Sequence, residues 1–339
     1  MIHADVRRDA AQAWAAGQLN KELRGAPFTF TPASADASFR RYWRATLADG
    51  RSYIVMDAPP EREDCRPFVR VAGMLHEAGV HAPQVLAQDL GQGFLLLTDL
   101  GTRTYLDELN PANAARLFSD ATDTLLRWQL ATRPGTLPPY DEALLRREMN
   151  LFPEWYVGKH LQKTLSGSQG DALENIFRLL VESALAQPVV YVHRDYMPRN
   201  PMVCDPNPGV LDFQDAVIGP IAYDVVSLMR DAFLSWEEER VLDWTARYWE
   251  KAKRARLPVA ADFAEFWRAF EWMGLQRHLK VLGIFARINY RDGKPGYLED
   301  TPRFVGYVRH AATRYRELAP LATLLDALED VRPEARYTF

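Results

Sequence analysis

His193-Arg194-Asp195-Tyr196-Met197-Pro198-Arg199-Asn200, followed after a short turn by Leu211-Asp212-Phe213, is the stretch on which the reading of this chain depends. Before it, Pro188-Val189-Val190-Tyr191-Val192 reads as a short buried strand that delivers His193 to a loop. After it, Met202-Val203-Cys204, the turn Asp205-Pro206-Asn207-Pro208-Gly209 and Val210-Leu211-Asp212-Phe213 read as two strands joined by a Pro/Gly turn. Such a hairpin folds Asn200 and Asp212 back beside each other. Both offer hard oxygen ligands of the kind Mg²⁺ takes alongside phosphate oxygens and water. Asp195 lies off the metal and can accept a hydroxyl proton. Any one of these residues alone is an ordinary turn or cap. Together, in a strand and hairpin context, they are the polar equipment of phosphoryl transfer from Mg-ATP.

Composition narrows the setting. With 339 residues, a formal net charge of −4 and 47% hydrophobic residues, the chain suffices for two lobes with separate cores and fits no fibrous or disordered class. No long basic run marks a nucleic-acid surface, so a sugar or nucleotide suits it better than a polymer, and no obligate protein partner is indicated. Cys65 and Cys204 lack zinc or redox spacing, which points to reduced thiols in a cytoplasmic protein. The opening Met-Ile-His-Ala-Asp-Val-Arg-Arg is too charged for a signal peptide, and no apolar run is long enough for a membrane span.

Outward from the loop, the chain changes character once. Residues 4 to 24 have helical spacing, with Val6, Ala10, Trp14 and Leu19 near one face. Phe28-Thr31, Phe39-Leu47, Ser52-Met56, Val85-Asp89 and Phe94-Thr98 then read as strands, interrupted by a helix from Cys65 to Glu77. Beyond Leu100-Gly101 the pattern is mostly helical, near 111–131, 141–164, 170–186, 236–254, 261–290 and 302–329. These segments predict an α+β bilobal architecture: residues 1–100 form a small antiparallel sheet lobe for the nucleotide, and 101–339 a large helical lobe for catalysis and substrate.

HRDYMPRN, VLDFQDA and GPIAYDVVSL resemble the aminoglycoside phosphotransferase and choline kinase-like family, whose members share a protein-kinase-like fold. More narrowly, SFRRYWR, IVMDAPPE, REMNLFPEWYVGKHL and QRHLKVLGIFARINYRDGK look like the anomeric N-acetylmuramate/N-acetylglucosamine kinases of bacterial cell-wall recycling. The resemblance implies ATP and Mg²⁺ as cofactors and an amino sugar as acceptor, phosphorylated at C1. Asp195 would deprotonate that hydroxyl, Asn200 and Asp212 would hold metal, and His193 would brace the loop. Asp224 would hydrogen-bond the loop, and Asp215 is left between metal support, sugar contact and solvent. Adenine is expected at the hinge backbone around Thr98, Asp99 and Leu100.

Two departures from the kinase pattern stand out. The third strand, Ser52-Tyr53-Ile54-Val55-Met56-Asp57, carries Met56 or Asp57 where kinases place a phosphate-binding lysine, and the following helix has no well-placed glutamate partner. Losing both members of the pair leaves no orphan charge. Ser38, Phe39, Arg40 and Arg41, in the turn over the nucleotide, and Arg199 in the loop are the candidates for compensating phosphate charge. For the sugar, Glu148, Asn150, Trp155, Tyr156 and Lys159 form one candidate cluster and Gln276, Arg277, His278 and Lys280 another, with core packing as the rival reading of the aromatics. A kinase of a different small hydroxyl compound (an aminoglycoside, choline or homoserine) and a nucleotide-binding pseudokinase remain the alternatives. The basic Gln276–Lys280 cluster favours neutral or anionic acceptors.

Overall fold

Short apolar segments bring the first strands together, alternating at Trp43 and Ala45 and running unbroken from Phe94 to Leu97. The structure, a computed structural model, describes residues 5–20, 26–34 and 39–329. It divides into two compact units, Met1–Pro111 with Arg199–Ala216, and Ala112–Pro198 with Val217–Phe339.

In the first unit, β1 (Thr29–Ser34), β2 (Arg41–Thr46), β3 (Ser52–Asp57), β4 (Val85–Asp89) and β5 (Phe94–Thr98) form one antiparallel sheet in the order β1-β2-β3-β5-β4. Helix α1 (Val6–Gln18) is capped by Asp5, whose side chain accepts the Arg8 N–H at 3.0 Å. It lays Ala11 and Ala15, with the following Leu19, on Phe30, Trp43, Ala45, Val55, Phe94 and Leu96. The buried face is therefore centred on small alanines that let the helix approach the sheet. Val6, expected on that face, is 75% exposed, and Trp14 packs at its margin. Helix α2 (Arg66–Glu77) buries Phe68, Val71, Ala72 and Leu75 at helical spacing. A short helix α3 (Tyr105–Glu108) begins in a reciprocal capping box between Thr104 and Asp107. The chain re-enters this unit as the expected hairpin, with Pro201–Met202 paired antiparallel to Gly209–Val210. Pro201 stands at the strand entrance, where a missing N–H is tolerated.

The second unit is built from α4 (Ala114–Leu130), α5 (Glu142–Met149), α6 (Gly167–Leu185), α7 (Tyr223–Met229), α8 (Glu238–Arg254), α9 (Phe263–Asp292), α10 (Thr301–Arg314) and α11 (Ala319–Leu328). Among them runs β6 (Val189–Val192), paired antiparallel with Val217–Pro220, a partner strand that the sequence reading missed. Two stretches expected as single helices are broken. The one over 141–164 stops at Met149, and Phe152–His160 winds as a π-helix with Pro153 in its first turn, where the missing N–H costs nothing. The one over 302–329 breaks at Tyr315, whose backbone is extended, and a new helix begins at Ala319 with Pro320 in its first turn, where the missing N–H costs nothing. No helix among the described residues is long and apolar enough to cross a membrane.

Helix α9, thirty residues long, is the axis of this unit. At Gly283 it passes so close to the link between α5 and the π-helix that an added Cβ would stand 2.3 Å from the Leu151 carbonyl carbon and 2.4 Å from its oxygen. The obstacle is backbone, which cannot rotate aside. Gly283→Ala is therefore expected to lower the unfolding free energy by roughly 1–3 kcal/mol, as measured by urea titration. An unchanged midpoint would show that α9 and residue 151 are not in this contact.

Candidate active site

β6 ends at Val192, and the next two residues are held by one side chain. Asp224, fully buried in the first turn of α7, accepts the His193 N–H on Oδ2 at 2.6 Å and the Arg194 N–H on Oδ1 at 3.0 Å. Burial pushes its carboxyl up to about 7, against the pull of those two N–H groups and of Arg277. Arg194 adopts φ +75°, a left-handed conformation that an L residue keeps only when its surroundings enforce it. The His193 ring is buried against Tyr196, and its Nδ1 accepts the Asp195 N–H at 3.3 Å. The Tyr196 hydroxyl donates to the Ala121 carbonyl at 2.8 Å, tying the far side of the loop to α4. His193 and Asp224 thus occupy the bracing positions expected of them, with half-buried Asp195 between these ties.

Under the loop lies Glu148, which is 5% exposed. Arg194 Nη2 donates to its Oε1 at 2.6 Å, Lys280 Nζ stands 3.0 Å from the same oxygen, and the Tyr140 hydroxyl donates to Oε2. Lys280 also donates to the Tyr223 hydroxyl at 3.0 Å. Burial raises the Glu148 carboxyl, but Lys280 and Arg194 outweigh it and hold the pKa at about 2. Glu148, expected on the sugar, therefore has both oxygens engaged inside the fold and serves the loop.

The other acceptor candidates divide by burial. Asn150 and Lys159 are exposed, Trp155 is half-buried, and Tyr156 is a core residue stacked on Phe152 at 5.5 Å. His278 is buried against Phe304 and Tyr307, and burial holds its pKa well below the usual imidazole value, so it packs as a neutral ring. Gln276 and Arg277 share with His278, whose two ring nitrogens also lack a partner, a burial that leaves polar atoms unsatisfied. Both are buried, and both amide atoms of Gln276 and Nε and Nη1 of Arg277 lack a hydrogen-bond partner. Polar groups in that condition are costly unless something else satisfies them.

The first unit holds the remaining groups. Asn200 Nδ2 donates to Asp212 Oδ2 at 3.4 Å, and the Leu211 N–H donates to the Asn200 carbonyl at 3.2 Å, so the hairpin sets the two side by side. Asp212 sits at φ +62°. Gln214, which no sequence signal singled out, donates from Nε2 to Asp212 at 3.0 Å and to exposed Asp215 at 3.3 Å. The Asn200 amide oxygen and the Asp212 carboxylate fit a Mg²⁺ ion as hard donors on one short hairpin. Arg40 Nη2 lies 3.9 Å from Asp212 Oδ1, while Arg199 is exposed.

Arg41 is turned elsewhere. Its Nε and Nη2 donate to Asp57 Oδ2 at 3.1 and 2.6 Å, and Nη1 donates to Asp5 at 2.5 Å. The guanidinium expected on phosphate is saturated by two carboxylates. Asp99 is engaged likewise, accepting from Arg44 at 2.6 and 3.0 Å, Ser52 at 2.7 Å and the Gly101 N–H at 2.9 Å, which leaves only backbone at that position for a nucleotide. The Thr98 hydroxyl accepts the Gln84 N–H at 2.9 Å, and Leu100 is buried. Phe39 is exposed beneath Arg62, 4.6 Å from its ring, and Ser38 lies outside the described residues.

A family model described as the phosphotransferase enzyme family matches residues 29–263. The chain is 58% identical over 302 residues to the N-acetylmuramate/N-acetylglucosamine kinase of Pseudomonas aeruginosa, covering 89% of each. To the N-acetylmuramate/N-acetylglucosamine kinase of Pseudomonas putida it is 53% identical over 335 residues, covering 97% of this chain and 98% of that one. Among solved structures, a Plasmodium vivax ethanolamine kinase superimposes with a TM-score of 0.61 at 10% identity, over 87% of this chain and 85% of that one. The ADP-bound aminoglycoside phosphotransferase APH(2'')-Ib does so with a TM-score of 0.53 at 14% identity, over 86% and 97%. At such identities the likeness is one of fold, and it bears out the protein-kinase-like architecture expected from the motifs.

The depressed Glu148 pKa carries a pH signature. Its folded value lies below the unfolded one, so its contribution to stability is complete above the unfolded pKa of about 4.3 and is lost as pH falls toward about 2. In Glu148→Gln that contribution is absent at every pH. The stability gap between wild type and Glu148→Gln is expected to narrow by about 3 kcal/mol between pH 5 and pH 2 in urea titrations. A gap independent of pH would mean that the folded-state pKa of Glu148 is not depressed below its unfolded value.

Proposed function

Because the chain belongs to the phosphotransferase enzyme family, we propose that it is a Mg²⁺-dependent kinase transferring the γ-phosphoryl group of ATP to the anomeric C1 hydroxyl of N-acetylmuramate or N-acetylglucosamine. The product is the sugar 1-phosphate. The names of its relatives, at identities up to 58% over most of the chain, support the acceptor. The observation that carries the chemistry is the loop itself, whose backbone is fixed on both sides of the peptide joining His193 to Arg194 by Asp224, leaving Asp195 as the next side chain out.

Asp195 orients the sugar hydroxyl and takes its proton as the bond to phosphorus forms. Asn200 and Asp212 hold the metal. The metal they would hold would supply positive charge against the charge that builds on the phosphates. With no lysine on β3, positive charge toward the phosphates comes from Arg40, beside Asp212, and from Arg199, one residue before Asn200. Adenine binds hinge backbone near Thr98 to Leu100. Arg277 and Gln276, whose buried polar atoms lack partners within the protein, bind the acceptor, Arg277 through the carboxylate that distinguishes N-acetylmuramate. Residues 1–100 serve the nucleotide, and 101–339 carry the base, the metal-holding residues and the acceptor site. Cys65 and Cys204, both free thiols, agree with work in the reducing cytoplasm.

Phosphorus NMR of the product from a panel of amino sugars reports acceptor and position together, and a C1 phosphate is expected. Asp195→Asn should lower sugar-dependent ADP release by about 10²–10⁴-fold while ATP still binds. Near-normal turnover in that variant would refute the assignment of the base.

A further inference from the structure

Arg194, the residue before Asp195, is held at two points, its backbone N–H by Asp224 and its guanidinium by Glu148. We propose that Glu148, counter-charged by Lys280, is a positioning residue that fixes the Arg194 side chain and thereby the aim of Asp195. The inference rests on Asp195 being the proton acceptor.

Three observations lead to it. First, Arg194 is held at φ +75°, a conformation an L residue rarely adopts, so its neighbours must over-determine it. Asp224 restrains the N–H at 3.0 Å, but rotation about the following bond would still swing Asp195 away. The guanidinium contact to Glu148 at 2.6 Å pins the other end of the same residue. Second, Glu148 cannot drift. Besides Arg194 it contacts the Tyr140 hydroxyl and the Lys280 ammonium, the latter at 3.0 Å.

Third, the two anchors are one circuit. Lys280, held to Glu148, also donates at 3.0 Å to the hydroxyl of Tyr223, and Tyr223 immediately precedes Asp224. The side-chain restraint and the backbone restraint on Arg194 therefore share one support at the start of α7. The rings of Tyr140 and Tyr223 meet edge to face at 5.2 Å and close the space between them. Two cations face one carboxylate here, so Glu148 is the member whose loss leaves like charges together.

In many kinases, loop arginines gain an anionic partner only when a phosphate is added, which makes ordering of the site a switch. Here the anion is a buried side chain of the same fold. The loop is held in its working shape from the moment the protein folds, and no activating modification is needed.

A double-mutant cycle tests this, using Glu148→Gln, Arg194→Met and their combination, with Arg194→Lys as the conservative variant. Both single changes should lower kcat by about 10–100-fold with KM for ATP within about threefold, and the combination should be no worse than either single change. Arg194→Lys keeps the charge and one donor and should recover most of the loss. Losses that multiply in the double variant, or kcat within about threefold of wild type in both singles, would overturn the proposal. Should Glu148→Gln fail to fold, the comparison of Arg194→Met with Arg194→Lys decides alone. Hydrogen exchange over residues 190–197 separates the two levels of inference, since it needs no acceptor. Both single variants should exchange faster there than wild type, and equal protection would refute the anchor even if the sugar assignment stands. Wild-type protein that transfers no phosphoryl group to either amino sugar, yet shows this protection pattern, would instead refute the acceptor assignment.

Discussion

The grip of Asp224 on two consecutive backbone N–H groups is the constraint from which the second unit's active-site architecture follows. A carboxylate removed entirely from water is tolerable only when its lone pairs are used, and two strong donors use them. For Asp224 to reach the loop, α7 must begin directly behind the end of β6. That placement is set by the pairing of β6 with Val217–Pro220, which leads into α7. The pairing in turn needs a bare backbone at Gly219, where a Cβ would stand 2.8 Å from Tyr140 Cβ. Tyr140 is the residue whose hydroxyl meets Glu148. Strand register, glycine and buried charge are thus links of one mechanical chain ending at Asp195.

The first unit solves a different problem, that of coupling a helix to the hairpin of Asn200 and Asp212 without the lysine–glutamate ion pair found in protein kinases. Met56 is fully buried, and its neighbour Asp57, also 0% exposed, looks toward α1. Asp57 accepts from Arg7 at 2.9 and 2.5 Å and from Arg41, its direct partner across β2 and β3. The charge at this end of β3 is therefore reversed, and it clamps the N-terminal helix to the sheet. Helix α2 meets the hairpin through rings instead, with Phe68 and Phe213 4.7 Å apart. Because Phe213 follows Asp212, a dispersive contact holds what an ion pair holds elsewhere.

What was legible in the sequence followed from local rules. The strands and helices announced themselves by period, and Asn200 and Asp212 by a hairpin whose Pro/Gly turn set their register. The misplaced readings share a cause, which is that a charged side chain was assigned to a ligand before its partner in the fold was known. Arg41 faces Asp57 across two strands, and Glu148 meets Arg194 and Lys280 from far along the chain. No periodicity encodes such pairings. The reverse case is Gln214, a plain amide in a loop, whose bridge between Asp212 and Asp215 appears only when the loop is folded.

Two buried glutamates illustrate why such charges persist at all. Glu271 is 0% exposed and accepts from Arg230 at 3.1 Å, Arg314 at 2.9 Å and the Tyr315 hydroxyl at 2.6 Å, which together lock α7, α9 and α10. Its neighbours Glu238 and His310 come close enough to suggest a metal site, but Arg314 bonds both carboxylates and supplies the positive charge itself. Glu148 has the same saturated character beneath the His193–Asn200 loop. Buried ion pairs add little net stability over well-packed apolar residues, because desolvation consumes most of the attraction. What they supply is direction, since a carboxylate accepts only along defined lines and an apolar substitute would let the loop settle in several positions. A helix junction can tolerate some of that looseness. Around the loop the fold allows less of it, tying both ends of Arg194, the N–H to Asp224 and the guanidinium to Glu148.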